Sequence, residues 1–141
     1  GTYNYSILAM FAPTSDATAS ATVSGVISVA AATLPSSYSL DVTASNSSNY
    51  TLSGNDRNGS VSGSDPNLTF SVGDTINFIV SASGHPFYLK TVAGTGTGNT
   101  ISGVTNNGSE NATITWTPSS TGTFYYQCSL HGGMVGTITI Q

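Results

Sequence analysis

The stretch TGTFYYQCSLHGGM (residues 121–134) combines a strand pattern with side chains that can bind a metal. Alternate residues from Phe124 to Cys128 share one face, a period of two that predicts a half-buried β-strand ending at the cysteine. His131 and Met134 follow at intervals of three residues in a loop that contains two glycines. A thiol, an imidazole and a thioether are therefore predicted within seven positions of each other.

The same alternation recurs elsewhere in the chain. TINFIVS (residues 75–81), ATITWT (residues 112–117) and VGTITIQ (residues 135–141) each place apolar side chains on one face. Turn residues such as Gly, Pro, Asn and Asp separate these runs at roughly ten-residue spacing, and no stretch has a helical period. Many short alternating strands predict an all-β fold, an antiparallel sandwich or barrel.

The chain is predicted to have two parts. Residues 36–141 contain about seven strand candidates, enough for a two-sheet sandwich. Residues 1–35 contain two apolar runs and are predicted to form an extra N-terminal β arm or hairpin that could pair with a neighbouring subunit. The uncharged run at residues 17–40 is rich in Ser and Thr and contains Gly25 and Pro35, so no membrane insertion is predicted.

The composition excludes several classes of partner. Charged residues make up 6% of the 141 residues, with 2 Lys+Arg and a net charge of -4. Such a chain has no basic stripe for nucleic acid and is not attracted to an anionic membrane surface. Abundant Ser, Thr, Asn and Gly suit a protein that is extracellular, periplasmic or on a particle surface, and not cytoplasmic. The single cysteine cannot form an internal disulfide.

The second histidine lies far from the first in sequence. His85, in SASGHPFYLK (residues 81–90), follows the strand at residues 75–81. Strand ends from distant parts of a sandwich meet at one pole, so His85 can approach Cys128. Two imidazoles, a thiolate and a weak axial thioether form the ligand set of a blue-copper centre. The residues therefore predict one mononuclear copper ion.

Residues of about 37–141 resemble the cupredoxin family, including plastocyanin and amicyanin. The resemblance is carried by VGDTINFIV (residues 72–80), by TGTFYYQCSLHGGM (residues 121–134) and by VGTITIQ (residues 135–141). The Cys-x2-His-x2-Met spacing is similar to that of the short amicyanin loop. The resemblance implies a Greek-key β-sandwich with three equatorial ligands and one axial ligand. It makes His85, Cys128 and His131 the equatorial ligands and Met134 the axial ligand.

Two positions depart from the family pattern. Pro86 follows His85, where cupredoxins often have an Asn that ties the two ligand loops together. Leu130 precedes His131, where a proline is common. Gly132 and Gly133 make this loop compliant.

The candidate ligands and several other residues also allow alternative interpretations. Zinc could use the cysteine and both histidines, but the thioether contributes little to zinc. A Cys-His hydrolase fits poorly because no helix N-terminus activates the thiol. NDRNG (residues 55–59) is interpreted as a tight turn rather than a calcium loop. Tyr38 and Tyr50 are interpreted as edge or interface residues, and Trp116 as a core residue.

Two functions follow from these predictions. The first is single-electron transfer to a redox partner protein, with His131 as the exposed electron port. No enzymatic activity is predicted, because four protein ligands leave no open coordination position. The second is a structural β-sandwich module on the surface of a virion or extracellular filament. Such a module would assemble with copies of itself through the N-terminal segment, with copper optional. The scarcity of charge favours this alternative, because soluble electron carriers usually use charged patches to steer towards their partners.

Overall fold

The computed structural model describes residues 34–141, which form nine β-strands and no helix. The strands are β1 (Ser37–Thr43), β2 (Thr51–Asp56), β3 (Gly59–Ser64), β4 (Leu68–Phe70), β5 (Thr75–Ser81), β6 (Phe87–Lys90), β7 (Asn111–Trp116), β8 (Gly122–Cys128) and β9 (Val135–Ile140). This part of the chain has no helix long and apolar enough to cross a membrane. The predicted arm at residues 1–35 lies almost wholly outside the described residues, so the two-part division stays a prediction.

The strands form two sheets. One has five strands in the order β3-β2-β1-β5-β7, and the other has four in the order β4-β9-β8-β6. The predicted all-β sandwich is confirmed. β1 pairs with β5 in parallel, and so does β4 with β9, whereas antiparallel pairing was predicted throughout. Alternation could not reveal this, because the side-chain period is two in either pairing. Parallel pairs arise where the chain crosses between the sheets instead of turning back in a hairpin.

The core consists of the inward-facing residues of these strands. As alternation predicted, β5 buries Ile76, Phe78 and Val80, and Trp116 is only 5% exposed. Aromatic rings fill the part of the core next to β6 and β8. The rings of Phe87 and Tyr126 stack with centroids 5.3 Å apart.

Tyr50 also belongs to this core, and its interpretation as an edge or interface residue was wrong. Its side chain is fully buried, and its ring meets that of Phe87 edge-on at 5.0 Å. Tyr38 is only half-buried and packs against Phe70. Tyr50 immediately precedes β2, outside any alternating run, so no local period indicated its direction. A tyrosine can bury its ring when its hydroxyl finds an acceptor, and the Tyr50 hydroxyl does so.

The segment NDRNG forms the turn between β2 and β3, as predicted. Asp56 and Gly59 pair across the hairpin, which leaves Arg57 and Asn58 at its tip. The Asp56 carboxylate accepts backbone N–H bonds from Asn58 at 2.7 Å and from Thr69 at 2.8 Å. One carboxylate oxygen therefore stabilises the turn, and the other connects it to β4.

A buried ion pair fixes the start of β1 to two turns. Asp74 is fully buried and accepts hydrogen bonds from the Arg57 guanidinium and from the backbone N–H groups of Ser36 and Ser71. Arg57 also donates to the carbonyl of Leu34 at 2.8 Å. Burial opposes ionisation of Asp74, but these donors together hold the pKa of its carboxyl below its ordinary value.

We expect Asp74→Asn to lower the free energy of unfolding by about 2 kcal/mol at pH 7, because the neutral amide loses one of the two carboxylate oxygens that accept hydrogen bonds from Arg57, Ser36 and Ser71. The pKa of Asp74 is lower in the folded than in the unfolded state. Its contribution is therefore complete above about pH 4 and is lost as the pH falls through the folded-state value. Urea unfolding followed by Trp116 fluorescence should show the difference from wild type shrinking below pH 4. The exposed Asp41→Asn on β1 is the control, and an equal loss there would contradict the prediction.

Candidate metal centre

His85, Cys128 and His131 come together at one end of the sandwich. Their potential ligand atoms all lie within 4.8 Å of one another. The two Nδ1 atoms are 3.2 Å apart, and the Cys128 Sγ is 3.5 Å from Nδ1 of His131. The structure thus unites three of the four predicted ligands, including the pair separated by 43 positions.

The pairing of β6 with β8 brings His85 to the cysteine. Phe87 lies opposite Cys128 in this antiparallel register, and the N–H of Ser129 donates to the carbonyl of Pro86 at 3.3 Å. His85 is two residues before Phe87, in the segment that connects β5 of one sheet to β6 of the other. The register therefore places the imidazole next to the end of β8.

A tight turn directs His85 after β5. The N–H of His85 donates to the carbonyl of Ala82 at 2.9 Å, and Gly84 has a φ of +81°, which favours glycine. The Glu110 carboxylate accepts the N–H of Gly84 at 2.7 Å. The first bond closes the turn, and the bond to Glu110 attaches it to the rest of the sandwich.

The loop from Cys128 to Met134 is closed by its own backbone. The N–H of Cys128 donates to the carbonyl of Met134 at 3.0 Å, and the N–H of Met134 donates to the carbonyl of His131 at 3.3 Å. The Met134 side chain is fully buried. That its thioether is the axial ligand stays a prediction.

Two of the three pairs of donor atoms have the spacing of ligands on one metal ion. Donors bonded at about 2.0–2.3 Å to one ion lie roughly 3–4 Å from each other, which agrees with the two distances above. The Cys128 side chain is fully buried, whereas both histidines are half-buried. In the metal-free protein one neutral imidazole can donate to the other across the same 3.2 Å. A thiol and two imidazoles are donors for a soft or borderline metal.

Tyr50 supports the site and was not found from the sequence. Its hydroxyl contacts the carbonyl oxygens of His85 at 2.9 Å and Pro86 at 3.1 Å. Burial raises the pKa of Tyr50 above its ordinary value, so the hydroxyl keeps its proton and remains a donor at neutral pH. The Tyr50 hydroxyl thus holds the segment of His85, and the N–H of Ser129 joins that segment to the loop of Cys128 through the carbonyl of Pro86.

Gln127 is the second supporting residue that sequence patterns missed. Alternation placed it on the face of β8 opposite Cys128, yet its side chain is 1% exposed. Its Nε2 donates to the carbonyl oxygens of Cys128, His131 and Met134, at 3.2, 3.0 and 3.1 Å. A single polar residue in a strand gave no signal of this role.

No family model and no curated protein sequence matches this chain. Solved structures do match it. The copper protein rusticyanin is 18% identical with a TM-score of 0.50, over 74% of this chain and 78% of that one. Rusticyanin from Thiobacillus ferrooxidans, in another structure, is 19% identical with a TM-score of 0.48, over 74% and 77%. A variant of amicyanin is 25% identical with a TM-score of 0.39, over 54% and 70%.

The first of these structures shows the class of fold. The first rusticyanin structure shares the sandwich over most of both chains, so residues 34–141 have the cupredoxin fold. The cluster of His85, Cys128 and His131 is of the kind that fits a blue-copper site.

We expect Tyr50→Phe to lower the free energy of unfolding by about 1–2 kcal/mol, because the carbonyl oxygens of His85 and Pro86 lose the single hydroxyl proton that they share. Chemical denaturation of the metal-free protein measures this loss. Tyr88→Phe on β6 is the matched control, because the described residues provide no hydrogen bond to its half-buried hydroxyl. Equal losses in the two variants would show that the Tyr50 hydroxyl has no special role.

Proposed function

We propose that this chain binds one copper ion through His85, Cys128, His131 and Met134, and that it transfers single electrons to a redox partner protein. The observation that carries the proposal is the convergence of a buried thiol and two imidazole nitrogens within 4.8 Å in a cupredoxin fold.

The chemistry of the donors favours copper over zinc. Thiolate and thioether are soft ligands that select Cu(I), and imidazole suits both copper oxidation states. Zinc gains little from a thioether, so the proposed axial ligand Met134 would favour copper. Copper bound here would take up and release one electron by changing between its two common oxidation states.

The protein's own residues would protect and shape this site. Burial of Cys128 shields its sulfur from solvent and oxidants, and metal binding requires the thiol to lose its proton. Hydrogen bonds from Tyr50, Gln127 and Ser129 hold both ligand segments in one arrangement. A site held in this way needs little rearrangement when its charge changes.

His131 is the proposed route for electrons. Its ring is half-buried, and the neighbouring Leu130 is 62% exposed. Gly132 and Gly133 are exposed beside it and carry no side chain that would keep a partner away. With few charges available, a partner would dock here mainly through apolar contact.

The proposed function does not include substrate chemistry, because four protein ligands leave no open position for a substrate. A location outside the cytoplasm, or on a particle surface, is proposed from the charge-poor composition. We do not propose the structural module as the function, because the described residues keep a converging set of metal donors.

One equivalent of Cu(II) should give the wild-type protein an intense visible band from thiolate-to-copper charge transfer. Cys128→Ser should lose this band completely, because no other cysteine is present. Absorption titration measures both, with Zn(II) in a parallel titration to compare affinities. A colourless wild type that binds Zn(II) more tightly than Cu(II) would contradict the proposal.

Leu130→Asp should slow electron self-exchange of the copper-loaded protein by about tenfold, because two like charges then face each other in the encounter complex. NMR line broadening in mixtures of the two oxidation states measures this rate. Ile79→Asp is the control, since Ile79 is an exposed apolar residue on β5, away from the metal loop. Equal slowing by both variants would reject His131 as the electron route.

A further inference from the structure

Lys90 is one of only two cationic residues in the chain, and it is buried to 1% exposure. Its Nζ donates to the carbonyl oxygens of Gly94 and of Gly96, the latter at 2.9 Å, and Thr95 offers a third at 3.5 Å. Three carbonyl oxygens match the three N–H groups of an ammonium. Within residues 34–141 no carboxylate lies at ion-pair distance from Lys90. The cost of removing the Lys90 ammonium from water is therefore offset by these hydrogen bonds, which also hold residues 94–96 in place.

Residues 94–96 in turn contact the metal loop on both sides of Cys128. The N–H of Gly94 donates to Oε1 of Gln127 at 3.3 Å. The N–H of Gly96 donates to the carbonyl of Ser129 at 2.7 Å. The segment that Lys90 holds thus fixes the residue before the cysteine and the residue after it.

The fixed Gln127 amide then holds the metal loop. With Oε1 bonded to Gly94, the opposite end of the amide points its two N–H groups at the loop carbonyls. These belong to Cys128, His131 and Met134, which are the three proposed ligands of this loop. Two N–H groups shared among three carbonyls determine the orientation of all three residues.

The loop needs such support from outside. Gly132 and Gly133 give its backbone more freedom than other residues would, and Leu130 stands where a proline would restrict it. Local sequence alone therefore does not fix the loop conformation, and contacts with distant segments must do so.

We propose that Lys90 and Gln127 act in series as positioning residues that hold the loop of Cys128, His131 and Met134 in its metal-binding geometry before a metal arrives. The identity of the metal rests on the proposed function, but the positioning itself can be measured in the metal-free protein.

The first test is amide hydrogen exchange of the metal-free full chain. Gln127→Met keeps the side-chain length and removes the donors, so exchange at residues 131–134 should accelerate about tenfold, with β5 unchanged. Lys90→Met should accelerate exchange at residues 94–96 strongly and at residues 131–134 to a smaller degree. The double variant should match Gln127→Met at residues 131–134, because the two residues act in series.

The chain offers a matched control. Gln141 is the only other glutamine and its side chain is exposed, so Gln141→Met should change nothing. Unchanged exchange of the loop in both buried variants would overturn the proposal. Acceleration spread evenly over the whole sandwich would also overturn it, because that is general destabilisation. Should Gln127→Met fail to fold, Gln127→Asn keeps the amide but is too short to reach all three carbonyls.

The second test uses Cu(II) as the probe. The copper spectrum by electron paramagnetic resonance should change in Gln127→Met, and copper should dissociate about tenfold faster, with smaller effects in Lys90→Met. Spectra and dissociation rates identical to wild type would overturn the proposal. If wild type binds no copper, the proposed function fails, and the exchange measurement still decides whether these residues position the loop.

Discussion

The hydrogen-bonded register between β6 and β8 sets the distance between the two halves of the candidate metal centre. Because Phe87 lies opposite Cys128, the two segments that carry His85 and His131 leave the sheet side by side. Shifting this register by one residue would send the side chains of β6 to the opposite face and carry His85 away from the sulfur. The stacked rings of Phe87 and Tyr126 beneath the site make such a shift costly, since both rings are fully buried.

Around this register the protein uses neutral hydrogen-bond donors where cupredoxins often use Asn and Pro. The Tyr50 hydroxyl holds the His85 segment, and the Gln127 amide holds the His131 segment. Both groups are buried, where a hydrogen bond is stronger than in water and where its loss leaves an unsatisfied carbonyl. The two ligand segments are therefore fixed from opposite sides by residues that need not bind the metal themselves.

The two cationic residues of this chain form hydrogen bonds within the sandwich. Arg57 pairs with the buried Asp74 to secure the start of β1, and Lys90 holds residues 94–96. Both cationic residues are engaged within the sandwich, so the formal charge of the described surface is mainly that of its acidic residues. Such a surface gives little electrostatic steering, which makes the exposed Leu130 next to His131 the more important feature for a partner.

Local sequence patterns predicted the all-β class, the alternating strands β5, β7, β8 and β9, and the close spacing of Cys128, His131 and Met134, because alternation and short spacing are local properties of the chain. About seven strands were expected in residues 36–141, and the structure has nine. The tertiary structure was needed to show which strands pair in parallel and that Tyr50 and Gln127 face inward, and it brought His85 to Cys128 as predicted. These features depend on where the chain crosses between sheets and on which loop covers a strand. Gln127 shows the limit most clearly, because its side chain is on the predicted outer face of β8 and residues 94–96 bury it there. Periodicity records the two faces of a strand, but contacts between distant segments decide what covers each face.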